Sequence, residues 1–338
     1  MPTKLISREI RLAERPIGLP GASAFAFGTA AVPEPGPGEV LVRNTWLSVE
    51  PYMLERMNGQ VAYMPPFDVG ATMDGAAIGE VLESRREGVS PGDTVWHLLA
   101  WRELALARQD DLVVPVDTDV APPSAYLGVL GTPGLAAWIG ITDIAAVQAG
   151  ETVFVSAAAG AVGSLAAQIA KLRGARVIGS AGSAAKVEYM TDELGVDVGL
   201  NRHDGPIAEQ LAAAAPEGIH AAFDNVGGDH LAAAIRAMRP HGRIALCGAI
   251  ARVDPDTPGV DARTLYEIVV RRVSMRGLLV LDHMDRLAAF REEVGAWLRD
   301  GRIRSRETVL DGLDAMPAAL NGLYRGENTG KTVIRLDG

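Results

Sequence analysis

A glycine-punctuated turn holds the residues with the clearest potential for chemistry. In the segment 153–164, VFVSAAAGAVGS, an apolar run leads into Gly160 and Gly163, which fill the second and third glycine positions of a G-x-G-x-x-G pattern, with Ala158 in the first. Such a turn brings backbone close to a pyrophosphate and directs the N–H groups of the next helix at it. Alanine is tolerated at the first position if its φ stays negative. The strand before the turn and the helix after it favour a dinucleotide site over a helix start that only packs closely on its strand.

The residues about 20 positions beyond the turn indicate which dinucleotide binds. NAD sites usually place Asp or Glu at the end of the second strand, to bind the ribose 2′-hydroxyl, but the segment 179–186, GSAGSAAK, contains no acid. Ser183 and Lys186 would instead bind a 2′-phosphate, and Arg202, just past the third strand, would reach the same group. We therefore predict NADP; the alternative for Lys186 is a solvated lysine in the first turn of a helix.

Alternating strand-like and alanine-rich helical segments carry this turn, from about residue 126 onward. Repeated βα units of this kind predict a doubly wound parallel sheet with right-handed crossovers and helices on both faces. The predicted strands are 152–157, 175–182, 196–201, 219–226, 242–250 and 273–281, and the predicted helices are 161–174, 184–195, 207–215, 229–240 and 284–301.

The first third of the chain has a different pattern of apolar and turn-forming residues. Up to about residue 125, short apolar runs are broken by Gly and Pro, which predicts a twisted antiparallel sheet or barrel. The final segment 330–336, GKTVIRL, is typical of a strand, and we expect it to return to that first sheet. The predicted α/β organisation is a β-rich domain at 1–125, completed by 302–338, and a dinucleotide-binding domain at 126–301.

Composition limits the classes of function. The 338 residues carry a formal net charge of −10, which argues against a nucleic-acid surface but not against a phosphate pocket. Cys247 is the only cysteine, which excludes an intrachain disulfide and a Cys-based zinc cluster. No apolar run reaches the roughly 18 residues of a membrane span, and no apolar signal core opens the sequence. We therefore expect a cytoplasmic protein without nucleic-acid or membrane partners.

Eight motifs, in order and at matching spacing, extend over nearly the whole chain. Through them the sequence resembles the zinc-independent medium-chain dehydrogenase/reductases. It is most similar to the NADP-dependent alkenal/enone double-bond reductase branch, which includes leukotriene B4 12-hydroxydehydrogenase/prostaglandin reductase and curcumin reductase. The motifs are LAERPIGLP (12–20), VEPYMLERM (49–57), GTPGLAAW (131–138), AAAGAVGS (157–164), AGSAAKVEYM (181–190), FDNVGG (223–228), GRIALCGAI (242–250) and GENTGKT (326–332).

The resemblance implies a GroES-like substrate domain together with a Rossmann domain, and it implies site residues. In this branch the turn has the form A-x-x-G-x-x-G, here Ala157, Gly160 and Gly163. Tyr52 would lie near the substrate as the catalytic residue. With the residues introduced above, the predicted contacts to NADP are Ala159, Gly160, Ala161, Val162 and Gly163 at the pyrophosphate, Ser183, Lys186 and Arg202 at the 2′-phosphate, and Asn225, Cys247, Gly248, Ala249, Ile250, Leu278, Leu279, Val280 and Asn328 along the nucleotide and nicotinamide.

The implied chemistry is hydride transfer from NADPH to the β-carbon of an α,β-unsaturated aldehyde or ketone. Conjugation already makes that carbon electrophilic, so the protein must position the reactants and stabilise an enolate oxygen. Tyr52 and the nicotinamide ribose hydroxyl are the candidate donors, with water or Tyr52 delivering the proton; alternatively, Tyr52 is only a wall of the pocket. No metal is expected, because 47–53 and 70–76, where zinc alcohol dehydrogenases place ligands, contain no Cys or His.

Several alternatives stay open at this point. An NADPH quinone oxidoreductase would share the turn and the lack of zinc ligands, and a structural or sensor protein that binds NADPH would share the turn. His97 is either a core or pocket-wall residue, or it takes part in acid–base chemistry or substrate binding. The resemblance also implies a homodimer, and the apolar segment 273–281 at the edge of the sheet is the place where two sheets would join.

Overall fold

A computed structural model describes residues 5–59, 63–253, 257 and 259–336. The structure divides into two compact units, Met1–Leu127 with Glu307–Gly338, and Gly128–Arg306. The chain therefore leaves the first unit once and returns to it at the C-terminus. The functional division of the chain at 125/126 and 301/302 stays a prediction of the sequence.

Antiparallel strands dominate the chain before residue 128, as predicted. The elements here are β1 (Leu5–Leu12), β2 (Phe25–Val32), β3 (Val40–Ser48), α1 (Tyr52–Met57), β4 (Ala77–Ser84), β5 (Thr94–His97), β6 (Leu104–Ala107) and β7 (Val113–Pro115). β1 and β2 form a two-stranded sheet, whereas β3, β4, β5 and β7 follow one another in a larger sheet and β6 also pairs with β3. All these pairings are antiparallel. One short helix, α1, is inserted between the paired strands β3 and β4 of this β-rich unit.

The second unit alternates helices and strands, and all pairings in its sheet are parallel. Its elements are α2 (Thr132–Ile139), β8 (Thr152–Val155), α3 (Gly163–Leu172), β9 (Arg176–Ala181), α4 (Ala184–Glu188), β10 (Val198–Asn201), α5 (Ile207–Ala214), β11 (Ile219–Asp224), α6 (Gly228–Ala237), β12 (Met238–Leu246), α7 (Ala262–Arg271), β13 (Ser274–Gly277) and α8 (Leu287–Arg299). The strand order is β10-β9-β8-β11-β12-β13. This is the doubly wound order of dinucleotide-binding sheets, and it confirms the predicted fold class.

The strand order reverses between β8 and β11, and the register brings their carboxyl ends together. Val155, the last residue of β8, pairs with Gly179 on one side and with Phe223 on the other. In open parallel sheets, ligands bind in the crevice outside the carboxyl ends at such a reversal. The structure therefore places the candidate site at the loops that follow β8, β9, β11 and β12.

Apolar side chains fix the helices against this sheet. Phe154 and Phe223 are fully buried, and Gly140 lies so close to the Phe223 ring that a Cβ at this position would overlap it. Burial of each phenylalanine side chain contributes about 1.5–3 kcal/mol. The strand ends at the candidate site therefore rest on a closely packed core.

The C-terminal segment completes the first unit. It consists of β14 (Glu307–Asp311), α9 (Met316–Arg325) and β15 (Lys331–Arg335). β15 pairs parallel with β14 and antiparallel with β3, where Val333 lies opposite Ser48. The expectation that the last strand returns to the first sheet is confirmed.

Two predicted elements were wrong in extent, both near the candidate site. The strand predicted at 273–281 ends at Gly277, because its neighbour β12 ends at Leu246 and offers no further pairing partner. Leu278 and Leu279 follow without regular structure, and a 3-10 segment runs through Val280–Arg286. The strand predicted at 242–250 likewise ends at Leu246, so Cys247, Gly248 and Ala249 form a loop and Ile250 begins a second 3-10 turn.

Candidate functional site

The glycine turn links β8 to α3 with one strained residue. Ala157 has a φ of 49°, whereas Ala158 is not among the described residues with positive φ, as the sequence required. A left-handed alanine costs on the order of 1–2 kcal/mol. Two hydrogen bonds hold it in place, from Ala158 N to Ser180 O at 2.8 Å and from Gly160 N to Ala157 O at 3.0 Å. The strained residue is therefore Ala157, one position before Ala158, which stands where the pattern has its first glycine.

Close approach, rather than positive φ, explains the two glycines of the turn. A Cβ on Gly163 would overlap Ala157 O and lie 2.9 Å from the Ala158 Cα. A Cβ on Gly160 would lie 3.3 Å from the same carbonyl oxygen. The first turn of α3 can therefore pack on the end of β8 only with glycine at 163. The helix start carries N–H groups without intrahelical partners and a positive dipole end, which is the arrangement that receives a phosphate.

A pair of cations converges past the ends of β9 and β10. Ser183 caps α4 by accepting a hydrogen bond from Lys186 N at 3.3 Å. Burial and the neighbouring Arg202 guanidinium lower the pKa of the Lys186 ammonium. Arg202 Nε would lie 3.3 Å from a Cβ on Gly182, so its guanidinium rests on the backbone just before the cap. Two cations that repel each other beside a hydroxyl group fit a doubly charged phosphate.

The loops after β11 and β12 are hydrogen bonded to each other and to the glycine turn. Asn225 Nδ2 donates to Ser156 O at 2.8 Å, and Ile250 N donates to Asn225 O at 3.3 Å. Leu278 N donates to Leu246 O at 2.8 Å, which places the half-buried Leu278, Leu279 and Val280 beside the loop that contains Cys247. The structure thus brings together the turn, Asn225, Cys247–Ile250 and Leu278–Val280. Their contacts to NADP stay a prediction.

Cys247 is not suited to nucleophilic chemistry. Burial, and to a smaller degree the nearby Asp224 carboxylate, raise the pKa of its thiol to about 12. The thiol is therefore protonated at neutral pH and serves as a small apolar wall.

Tyr52 opens α1 in the first unit, where the phenol is half buried. Its ring centroid lies 6.2 Å from that of Tyr63, and its Oη would lie 3.5 Å from a Cβ built on Gly75. Burial first, and then the carboxylates of Glu50 and Asp74, raise the pKa of Tyr52 well above its usual value. The phenol is therefore a hydrogen-bond donor throughout the physiological pH range.

The C-terminal segment fixes the backbone that carries Tyr52. The buried Lys331 Nζ donates to Val49 O at 2.8 Å and lies 3.9 Å from Glu50 Oε1. Tyr324 Oη donates to Pro51 O at 2.7 Å. Three consecutive residues before Tyr52 are therefore held by α9 and β15, two elements more than 260 positions later in the chain.

Asn328 and His97 also belong to this unit. Asn328 Nδ2 donates to Gly330 O at 2.9 Å, and its contact to the cofactor stays a prediction.

His97 is fully buried in β5, where its Nδ1 accepts a hydrogen bond from Leu99 N at 3.1 Å. Burial and the charge of Arg102 lower the pKa of His97 to about 3. The imidazole is therefore neutral near pH 7, in keeping with a core residue.

The sequence reasoning missed two polar residues at the centre of the site, Ser156 and Asp224. Both are buried, and Ser156 Oγ donates to Asp224 Oδ1 at 2.6 Å. Both residues stand in or beside the quoted motifs VFVSAAAGAVGS and FDNVGG, but they are 68 positions apart. The signal available was a carboxylic acid at the end of an otherwise apolar buried strand, which needs a partner in the fold.

Comparison with known proteins agrees with this architecture. Residues 8–114 match the family model for the N-terminal domain of oxidoreductases, and residues 161–294 match the one described as zinc-binding dehydrogenase. The chain is 39% identical to a putative NADP-dependent oxidoreductase of Bacillus subtilis, YfmJ, over 97% of both proteins. It is also 39% identical to the NADPH-dependent curcumin reductase of Escherichia coli, over 97% of this chain and 96% of that protein.

A solved structure shows the same fold. CurA from Vibrio vulnificus, also determined in complex with NADPH, is 35% identical and superimposes with a TM-score of 0.91 over 98% of this chain and 99% of its own. Fold and sequence together define a two-domain oxidoreductase of the medium-chain dehydrogenase/reductase type. The chain belongs to the branch of NADP-dependent oxidoreductases that contains curcumin reductase, 2-alkenal reductase and prostaglandin reductase.

Proposed function

We propose that this protein uses NADPH to reduce the C=C bond of α,β-unsaturated aldehydes and ketones. The observation that carries the cofactor assignment is the Lys186–Arg202 pair with Ser183, at the position where NAD sites place an acid. The substrate class is supported by relatives named for it, among them a 2-alkenal reductase of Nicotiana tabacum, 37% identical over 90% of this chain and 88% of that protein. Quinone reduction gains no comparable support, because a quinone oxidoreductase of Pseudomonas syringae is only 21% identical and shares the fold alone.

The cofactor would lie across the carboxyl edge of the parallel sheet. The segment 159–163 would hold the pyrophosphate, the cation pair the 2′-phosphate, and Asn225, Cys247–Ile250 and Leu278–Val280 the nicotinamide half, with Asn328 as a further contact. When bound, NADPH supplies the hydride for the β-carbon. The chain's own residues orient the nicotinamide ring and exclude water from it, mainly through the apolar side chains of Leu278, Leu279 and Val280.

Tyr52 would donate a hydrogen bond to the carbonyl oxygen of the substrate. Its raised pKa keeps the phenol protonated, so negative charge that develops on the oxygen meets a donor at any pH near neutrality. The proton for the α-carbon would come from Tyr52 or from water. We further propose that the reaction needs no metal; within the described ranges, no group of three or more His, Cys, Asp or Glu side chains could hold one.

We also propose a homodimer formed through the edge of the parallel sheet. β13 is the edge strand, and its four residues are all exposed. The adjacent α7 exposes an apolar stripe, with Tyr266 65% and Val269 66% exposed. A sheet edge beside exposed apolar side chains is an interface that a second copy of the chain would cover. α7 was not predicted from the sequence, so the stripe strengthens a proposal first based on the edge strand alone.

The cellular location remains a proposal. No helix in the part of the chain that the structure describes is long and apolar enough to cross a membrane. A cytoplasmic location is the proposal that the sequence favoured.

Parallel assays with three acceptor classes test the proposed reaction. NADPH oxidation would be followed at 340 nm with a 2-alkenal, a cyclic or aryl enone and a quinone, each at equal concentration. We expect turnover with the first two and a kcat/KM for the quinone at least tenfold lower. Preference for the quinone would overturn the substrate assignment, and NADPH binding without turnover of any acceptor would indicate a sensor.

A further inference from the structure

A buried carboxylate organises the loops at the reversal of the strand order. Asp224 is the last residue of β11 and is 2% exposed, and Ser156 follows β8 and is fully buried. These strands are neighbours in the sheet. The two side chains therefore meet below the crevice and not within it.

Three donors converge on the Asp224 carboxylate. Oδ1 accepts from Ser156 Oγ at 2.6 Å and from Val226 N at 3.3 Å, and Oδ2 accepts from Gly227 N at 2.8 Å. Ser156 Oγ in turn accepts from Asn225 N at 2.8 Å. Burial raises the pKa of the carboxyl group, while the donated hydrogen bonds lower it. Two backbone N–H groups and one hydroxyl aimed at a single side chain suit an acceptor with two oxygens.

The same residues shape the next loop through their backbone carbonyls. Asp224 O accepts from Cys247 N at 2.8 Å and from Gly248 N at 3.2 Å, and Val226 O accepts from Ala251 N at 3.1 Å. Gly227, with a φ of 76°, turns the chain into α6. The conformation of 224–227 therefore sets the conformation of 247–251.

We propose that Asp224 is a positioning residue for the nicotinamide half of the cofactor site. Its carboxylate fixes Val226 and Gly227 directly and Asn225 through Ser156 Oγ. It fixes the loop 247–251 through the backbone of 224–227, and it does so without touching the cofactor. The inference rests on the proposed function, which assigns these two loops to the nicotinamide half and the cation pair to the adenosine half. The two halves are held by different strands, β11 and β12 in one case and β9 and β10 in the other.

Paired binding measurements on Asp224→Asn test this role. The amide keeps the shape but sets an NH2 group against Gly227 N–H or against the donors at Oδ1. NADPH would be titrated by its fluorescence, and 2′,5′-ADP, which carries only the adenosine half, by calorimetry. We expect the dissociation constant of NADPH to rise at least tenfold and that of 2′,5′-ADP to change less than twofold.

A matched control comes from the opposite edge of the sheet. Asp197 accepts hydrogen bonds from Val177 N at 2.7 Å and from Lys171 Nζ at 2.8 Å, at the start of β9. Asp197→Asn changes a carboxylate that is exposed but also holds two elements together, and it should leave both dissociation constants unchanged. A general loss of stability in Asp224→Asn would weaken NADPH and 2′,5′-ADP alike, so only a positioning role separates the two ligands.

Each outcome bears on the inference. NADPH binding unchanged by Asp224→Asn, or equal weakening of NADPH and 2′,5′-ADP, would overturn it. If Asp224→Asn does not fold, Ser156→Ala removes one donor and should weaken NADPH about three- to tenfold with 2′,5′-ADP unaffected; no change there would overturn the inference as well. Failure of the cofactor assignment looks different, because the unmodified protein would then bind neither ligand. Failure of the substrate assignment would leave both dissociation constants measurable and would be detected only in the acceptor assays.

Discussion

Lys186 and Arg202 are the residues through which we propose that the site discriminates between NADPH and NADH. Each cation lies in the field of the other, and this repulsion lowers the pKa of Lys186 in addition to burial. A 2′-phosphate would remove the repulsion and gain charge-assisted hydrogen bonds, whereas the 2′-hydroxyl of NAD would do neither. Selectivity is therefore expected to reside in these two side chains.

Lys186→Ala should weaken NADPH binding far more than NADH binding. A hydrogen bond to a charged group contributes about 1.5–3 kcal/mol, so the KM for NADPH should rise about 10- to 100-fold, and that for NADH less than threefold. Steady-state kinetics with both cofactors measures the two values. Lys171→Ala, which removes a lysine paired with Asp197, is the control and should change neither. Equal effects of Lys186→Ala on both cofactors would contradict the assignment.

Tyr52→Phe tests the donor role of the phenol. A positioned acid contributes roughly 10²–10⁴-fold to rate, so kcat on an enone should fall about 100-fold or more while the KM for NADPH stays within twofold. Single-turnover kinetics under saturating NADPH measures the loss. Tyr63→Phe would show whether the neighbouring hydroxyl acts independently. Full kcat in Tyr52→Phe would leave the phenol as a wall of the pocket.

At the level of elements, strands end where their partners end. The apolar run 273–281 could have continued as a strand, but β12 stops at Leu246 and β13 stops with it at Gly277. The glycine turn was predictable because its constraints act within ten residues, as the contact between Gly163 and Ala157 shows. The Asp224–Ser156 pair was not predictable, because only the sheet brings residues 68 positions apart into contact. The hydrogen bond from Lys331 Nζ to Val49 O was not predictable from the sequence for the same reason.

His97 in β5 makes stability depend on pH. Its pKa is lowered from 6.5 to about 3. Between these pH values the imidazole is therefore protonated in the unfolded state and neutral in the folded state. The associated stability is complete above pH 6.5 and is lost as the pH falls toward 3, at up to about 1.4 kcal/mol per pH unit. His97→Gln should flatten the loss of unfolding free energy between pH 6 and pH 4, measured by urea titration. The exposed His203→Gln is the control, and parallel slopes for His97→Gln and the unmodified protein would refute the prediction.

At the scale of the whole molecule, the exposed edge of the parallel sheet is the surface through which we propose that two copies of the chain pair. β13 offers unpaired backbone groups, and α7 adds Leu265, Tyr266, Val269 and Val270 as exposed apolar side chains. Antiparallel or parallel pairing of two such edges would satisfy the backbone groups and bury the stripe. The assembly is thus expected to follow from the same sheet that would bind the cofactor.

Light scattering after gel filtration tests the assembly. We expect the unmodified protein at twice the chain mass of 35.6 kDa, and Val269→Lys at the single chain mass because a buried lysine would lack a partner. Leu112→Lys alters an apolar residue of the other unit that is also exposed, and it should leave the dimer intact. A single-chain mass for the unmodified protein would rule the dimer out.

The position of a transferred hydride tests the central proposal most directly. NADPH deuterated at nicotinamide C4, on the face that is transferred, would be supplied with an aryl enone, and the product examined by NMR and mass spectrometry. The proposed reaction predicts a saturated ketone with deuterium on the β-carbon and a solvent-derived proton on the α-carbon. Deuterium on the former carbonyl carbon of an allylic alcohol, or no product from any enone, would contradict it.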